Sequence, residues 1–178
     1  MTAPAFDRKS RVLQKKICMI GSFGVGKTSL VRRYVESIFS DRYQTNIGVR
    51  IDKKLVNVDG REVNLVLWDL AGEDEISSLQ MSHLRGCSGY ILVADGSREA
   101  TFQKALELQQ RIHTPLGRVP FVFAINKIDK VEDWRVQSGE IEQLRARGWE
   151  CFLTSAKTGD VVESLFGTLA QNMLNDLQ

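Results

Sequence analysis

The sequence predicts an α/β domain: a mostly parallel, six-stranded sheet with one antiparallel edge strand and helices on both faces. Three observations carry that prediction. From Lys15 onward, short apolar runs alternate with stretches of helical spacing. Three of the runs, "ICMI", "YILVA" and "FVFAI", are apolar without alternation, which suits strands covered on both faces of a parallel sheet. The segments "KKLVNV" and "REVNLVLW" are joined by Asp59-Gly60, two residues that tolerate positive φ, so they form an antiparallel hairpin.

In chain order, residues 1–14 are polar and aperiodic and are read as a flexible tail ahead of a single domain over 15–178. The basic run Arg8, Lys9, Arg11, Lys15 and Lys16 is read as a solvated tail, with an anionic surface or partner as the alternative. Strands are predicted over 16–20, 50–58, 62–69, 89–94, 121–126 and 150–154. "ATFQKALELQQRI" is a helix because Phe102, Ala105, Leu106, Gln109 and Ile112 keep helical spacing. The last helix carries its apolar stripe on Leu165, Phe166, Leu169, Met173 and Leu177, and Asp160 with Glu163 three residues on is a variant of the capping box.

Composition narrows the function classes. A chain of 178 residues with 43% apolar and 26% charged residues suits one soluble domain. A net charge of +2 is too weak to argue for nucleic acid, so no nucleic-acid partner is expected. No apolar run is long enough to span a membrane, and the first residues lack the apolar block of a signal peptide. The three cysteines, Cys18, Cys87 and Cys151, are far apart in sequence, which fits reduced thiols in a cytoplasmic protein better than disulfides or a metal cluster.

Chemistry is concentrated in four short motifs. "GSFGVGKTS", Gly21 to Ser29, follows a buried strand and opens a helix, which is the context a phosphate-binding loop requires. Its glycines let backbone N–H groups approach phosphate oxygens, and the helix N-terminus adds positive potential. Lys27 brings a charge to the outer phosphates, and Thr28 offers a hydroxyl to Mg²⁺. "LWDLAGEDE" adds Asp69 at a strand end, where a carboxylate can hold a metal through water, and Gly72, whose N–H can meet the last phosphate. "AINKIDK" supplies Asn126, Lys127 and Asp129; the Asp129 carboxylate can accept two N–H bonds from a guanine edge, which adenine cannot provide. Ser155-Ala156-Lys157 follows the last strand, where a backbone N–H can reach the guanine oxygen. An adenylate-using kinase of the same loop type is disfavoured by Asn126–Asp129 and by the lack of an arginine-rich lid insertion.

In this order and spacing the motifs resemble the Ras superfamily of small GTPases, in its Rab and Ras branches, over residues 15 to about 176. "NIGVRIDKKLVNVDGREVNLVLWDLAGEDE" is similar to the Rab pattern from the first switch to the second, and "VADG" resembles the wording of a prokaryotic branch. The resemblance implies a P-loop NTPase fold and a GTP/GDP-dependent molecular switch that hydrolyses GTP with Mg²⁺. It implies phosphate and metal contacts from Gly21, Phe23, Gly24, Val25, Gly26, Lys27, Thr28 and Ser29, and a metal and γ-phosphate sensor at Asp69 and Gly72. Phe39 stands where the family packs an aromatic ring on the guanine, and Tyr43 where a switch tyrosine covers the phosphates, with plain core packing as the alternative for each. Asn126, Lys127, Asp129, Ser155, Ala156 and Lys157 would bind the base. Effectors, exchange factors or activating proteins would meet residues 39–82. The ending "NMLNDLQ" has no cysteine, so the family's prenyl anchor is not expected within this sequence; peripheral membrane association would need a continuation of the chain.

Three positions depart from the family. Phe23 replaces a small residue that faces the γ-phosphate and an incoming arginine; its ring would crowd that space, fold over the switches as a lid or pack on them. Asn46 replaces a threonine of the Mg²⁺ shell; its amide oxygen is a permissible hard-cation ligand, and Thr45 could substitute if the loop shifts by one. Glu73 replaces the glutamine that orients the attacking water. An ionised glutamate only accepts hydrogen bonds, and losing a transition-state donor costs about 2.7–4 kcal/mol in comparable sites. Slow intrinsic hydrolysis is the expectation, with Glu73, Lys27 and Gly72 as the catalytic set and a pseudo-GTPase that holds nucleotide without turnover as the alternative. Arg42 is a candidate internal arginine, though an exposed loop arginine is the plainer reading.

Overall fold

A computed structural model describes residues 12–36, 43–44, 48–70 and 78–175 of the chain. Its elements are β1 (Leu13–Ile20), α1 (Lys27–Val35), β2 (Tyr43–Gln44), β3 (Val49–Val58), β4 (Arg61–Leu70), α2 (Ser78–His83), β5 (Gly89–Asp95), α3 (Glu99–Leu116), β6 (Phe121–Asn126), α4 (Ser138–Ala146), β7 (Cys151–Thr154) and α5 (Val162–Asn175).

The strands form one sheet in the order β2-β3-β4-β1-β5-β6-β7. β4, β1, β5, β6 and β7 pair in parallel, while β3 is antiparallel to both β4 and β2. The six predicted strands are all present. The seventh, β2, is a two-residue pairing of Tyr43 with Ile51 and Gln44 with Arg50 outside the predicted edge strand. Two residues are too few to show a period, so nothing in the pattern marked it. The hairpin between β3 and β4 turns on Asp59 at φ 50° and Gly60 at φ 76°, as their tolerance of positive φ requires. β1 starts at Leu13, three residues ahead of its predicted start.

Successive β1 residues serve opposite layers. Ile17 and Met19 join the core under α1 and α5, with Leu30, Tyr34, Leu165, Phe166 and Leu169. Cys18 and Ile20 join the core under α3 and α4, with Phe102, Ala105, Ile112, Ile141 and Leu144. With both faces covered, "ICMI" shows no alternation, and fully burying each large apolar side chain contributes roughly 1.5–3 kcal/mol. The α1–α5 contact includes a parallel stack of Tyr34 on Phe166 with ring centroids 4.0 Å apart.

The predicted capping box at Asp160 and Glu163 is not formed. Asp160 accepts from the Thr158 hydroxyl at 2.7 Å, and Glu163 pairs with Lys54 at 3.2 Å. The competing demand is Lys54, buried on β3: its ammonium lies 3.6 Å from the Tyr34 ring centroid and donates to the Tyr34 carbonyl at 2.6 Å, and Glu163 supplies its counter-charge. A capping interaction occurs instead at α4, where Glu140 accepts from the Gln137 N–H at 3.1 Å. α3 runs past its predicted end to Leu116, taking Pro115 into its last turn. Leu177 of the predicted stripe lies outside the described residues, as do residues 1–11 of the tail.

Candidate functional site

β1 lies between β4 and β5, where the chain's order across the sheet reverses, so the carboxyl ends of the strands open a crevice there. The loop after β1 enters it under tight constraint. A Cβ at Gly21 would fall 2.3 Å from the Val93 carbonyl oxygen of β5. Gly26, at φ 103°, precedes α1, and a Cβ there would fall 2.3 Å from Asn126 Nδ2. Only glycine lets the loop lie against both strands.

The loop curls around a lysine. Lys27 Nζ donates to the carbonyls of Gly21 and Ser22, each at 2.9 Å, with only 6% of the residue exposed. Burial lowers its ammonium to about 8, although the Asp69 charge pulls the other way. One residue on, Thr28 Oγ1 donates to Asp69 Oδ2 at 2.5 Å, which brings α1 and the end of β4 together. Asp69 Oδ1 is buried with no hydrogen-bond partner among the described residues. Burial, with the Asp52 charge beside it, raises the Asp69 carboxyl above its ordinary value despite the opposing pull of Thr28, Lys27 and Arg50. A buried carboxylate oxygen short of a partner beside a hydroxyl is a donor set that fits a hard cation such as Mg²⁺, which takes one or two carboxylates and completes its shell with water and phosphate oxygens.

The second half of the site lies at the ends of β6 and β7. Asn126 Nδ2 donates to the Val25 carbonyl at 3.0 Å, while Oδ1 accepts from Thr154 Oγ1 at 3.1 Å and from the Ala156 N–H at 3.2 Å. Asn126 therefore braces the phosphate loop against the loop after β7. Asp129 Oδ1 accepts from Ser155 Oγ at 2.6 Å, and Ser155 Oγ in turn accepts from the Thr158 N–H at 3.1 Å. Arg33 of α1 holds the same segment through the carbonyls of Ala156, at 2.9 Å, and Lys157. Gly26, Ser29, Asn126, Lys127, Asp129 and Ala156 line one cavity of ≈ 340 Å³ together with Lys130 and Lys157.

Asp95, at the end of β5, was not among the predicted site residues. It is 1% exposed and receives Lys127 Nζ at 2.7 Å and Arg98 Nε at 3.0 Å. Burial pushes its carboxyl up, but hydrogen bonds from Lys127, Ser97 and Arg98 outweigh that and hold it at about 2. Both cations continue to the phosphate loop: Lys127 Nζ donates to the Gly24 carbonyl at 2.8 Å and Arg98 to the Phe23 carbonyl at 3.0 Å. The available signal was positional, since Asp95 ends its strand as Asn126 does and as Asp69 nearly does. Phe23 itself is 78% exposed, its backbone anchored and its ring outward. Phe39, Arg42, Thr45, Asn46, Gly72 and Glu73 lie outside the described residues, and Tyr43 is described only through its strand pairing.

The chain matches the family model described as Ras family over residues 16–175. It is 35% identical over 173 residues to "Ras-related protein Rab-32" of Mus musculus, an alignment covering 92% of this chain and 77% of that protein. It is 34% identical over 170 residues to "Ras-related protein Rab-21" of Mus musculus, covering 94% and 77%. "GTP-binding protein yptV2" of Volvox carteri is 34% identical over 162 residues, covering 89% of this chain and 75% of that protein.

Proposed function

Since the chain belongs to the Ras family, as a Rab-like small GTPase and nucleotide-binding switch, we propose that it holds GDP or GTP with Mg²⁺ and hydrolyses GTP slowly. The observation that supports this reading is the convergence of Gly26, Asn126, Asp129 and Ala156 on one cavity, with Lys27 held in the loop that ends at Gly26 and Thr28 paired with Asp69.

In this reading the loop from Gly21 to Ser29 binds the phosphates, and Lys27 leaves its two carbonyl acceptors to meet them. Thr28 and Asp69 hold the metal, with Asn46 from the first switch. Mg²⁺, when bound, neutralises charge on the outer phosphates. Asp129, fixed by Ser155, selects guanine through its remaining oxygen, and the Ala156 segment lies alongside. Phe39 and Tyr43 close over the base and phosphates. Gly72 and Glu73 belong to the second switch, where a carboxylate in place of an amide orients water without donating to the phosphoryl group. Residues of about 39–49 and 70–82 answer to the γ-phosphate and present the surface for effectors, exchange factors or activating proteins. A peripheral, cytoplasmic-side location is the reading consistent with a Rab-like chain; among the described residues no helix is long and apolar enough to cross a membrane.

The test is the identity of the nucleotide that co-purifies, followed by competition between GTP and ATP for wild type and Asp129→Asn. Guanine preference that disappears in the variant supports the reading; equal use of ATP by wild type overturns it. A pseudo-GTPase that stores nucleotide without turnover is the second reading, favoured by the outward Phe23 ring at the phosphate loop. Phosphate release over hours from GTP-loaded protein eliminates it.

A further inference from the structure

Cys18 and Cys87 are 69 positions apart in the sequence, yet the fold brings them together. Cys18 sits in β1, opposite Tyr90 in the β1–β5 ladder, and Cys87 lies three residues before Tyr90. Lys16 fixes the approach from both sides: its carbonyl accepts from the Ser88 N–H at 2.8 Å, and its own N–H donates to Ser88 Oγ at 3.2 Å. Cys18 belongs to the core cluster against which Cys87 packs, and each thiol shifts the titration of the other. Cys18 also faces the last carbonyl of α2, at His83, with Sγ at 3.9 Å, and Cys87 Sγ lies 2.8 Å from the Gly89 carbonyl.

Their surroundings differ. Cys18 is fully buried, whereas Cys87 is half-buried and lines a cavity of ≈ 480 Å³ with Leu84, Arg85, Gly86, Pro115 and Leu116. Lys16 Nζ, donating to the carbonyls of His83 and Arg85 at 2.5 and 2.8 Å, places a positive charge beside the pair. The neighbouring Cys18 thiol is the main influence lowering the Cys87 thiol, against burial that raises it; Cys87 in turn, with burial, raises Cys18 well above its ordinary value. Cys151 is also buried and lies on β7, away from both.

We propose that Cys18 and Cys87 are a reversible thiol–disulfide pair, with Cys87 as the nucleophile toward hydrogen peroxide and Cys18 as the resolving thiol. The Cys87 thiolate attacks one peroxide oxygen; the O–O bond breaks, and the departing hydroxide takes up the proton that the thiol had released and becomes water. Cys87 is then a sulfenic acid. Cys18 attacks that sulfur: the S–S bond forms, the S–O bond breaks, and the hydroxyl leaves with the Cys18 proton as a second water. Two thiols lose two electrons and one peroxide gains them. In a reducing compartment such a bond is transient, which suits sensing rather than structural support. Its site joins β1, which leads into the phosphate loop, to the segment that trails the second switch helix.

The test uses the full-length, GDP-loaded protein and hydrogen peroxide, with disulfide mapping by mass spectrometry and a dimedone trap for sulfenic acid. The expected result is a link between the Cys18 and Cys87 peptides with a loss of about 2 Da, reversal by dithiothreitol, trap label on Cys87 only, and Cys151 left reduced. In Cys18→Ala, Cys87 should proceed to sulfinic acid; in Cys87→Ser, Cys18 should stay reduced. Absence of the link in wild type overturns the proposal. So does loss of Cys151 at the same rate, which marks oxidation through unfolding, or trap label on Cys18 in wild type.

Discussion

Lys127 stands 2.7 Å from the carboxylate of Asp95 and 2.8 Å from the carbonyl of Gly24, so one ammonium ties the end of β5 to the phosphate loop. Asp95 is buried, and three hydrogen-bonding partners hold it charged. Its carboxyl moves from an ordinary value of 3.8 to about 2 on folding. The sign follows from linkage: a depressed carboxyl adds stability that is complete above its unfolded value and fades as pH falls from about 4 toward 2. A shift of that size is worth roughly 2 kcal/mol. Asp95→Asn should therefore lose about that much at pH 7 in urea melts, with the gap from wild type narrowing once the pH falls below 4. A gap that stays constant down to pH 3 would show that Asp95 acts through packing rather than charge.

Asn126 makes a different kind of tie, between uncharged groups. Its amide joins Val25, Thr154 and Ala156 across three segments of the chain. Asn126→Ala orphans the buried Val25 carbonyl and Thr154 hydroxyl and the half-buried Ala156 N–H, at about 1–3 kcal/mol for a buried polar group left without its partner. Because the orphaned groups belong to both halves of the site, GDP release should accelerate more than ten-fold, measured by displacement of a fluorescent analogue. Unchanged release with reduced stability would confine Asn126 to a structural part.

Gly96 offers a test of packing alone. A Cβ there would fall 2.0 Å from the Trp134 ring, whose indole N–H is held by the Val136 carbonyl at 2.8 Å. The ring cannot move without breaking that bond, so Gly96→Ala should destabilise by about 1–3 kcal/mol. Circular-dichroism melts of the variant, alone and with Trp134→Leu, measure it; the second change should return most of the loss.

How much of this was legible in the sequence depends on how local the signal was. The buried strands and the β3–β4 hairpin were, because apolar runs and Asp59-Gly60 carry their own physics. Gly21, Gly26, Lys27, Thr28 and Asp69 were found because the phosphate-loop and strand-end motifs fix their spacing. Arg98 and Arg33 were not, since each acts by reaching a backbone carbonyl 75 to 124 residues away, and a carbonyl leaves no mark in a sequence; Asp95 was not, because the cation that ties it to the phosphate loop, Lys127, comes from the loop after another strand. Glu163 misled for the complementary reason: a local capping pattern lost to Lys54, 109 residues distant. Cys18 and Cys87 looked isolated until the β1–β5 pairing closed the interval between them.

The outward ring of Phe23 and the carboxylate of Glu73 are two separate grounds for the slow hydrolysis proposed above, and they can be told apart. Phe23 is exposed and its backbone is held by Arg98, so Phe23→Ala should change stability by less than about 0.5 kcal/mol. Glu73→Gln restores a donor toward the phosphoryl group and should raise the single-turnover rate about 10²-fold. If the two side chains act on one space beside the γ-phosphate, the double variant will differ from the product of the single effects; if they act independently, the effects will multiply. Single-turnover GTP hydrolysis of the four proteins completes the cycle. A Glu73→Gln rate no faster than wild type, with or without Phe23, refutes the missing donor as the cause.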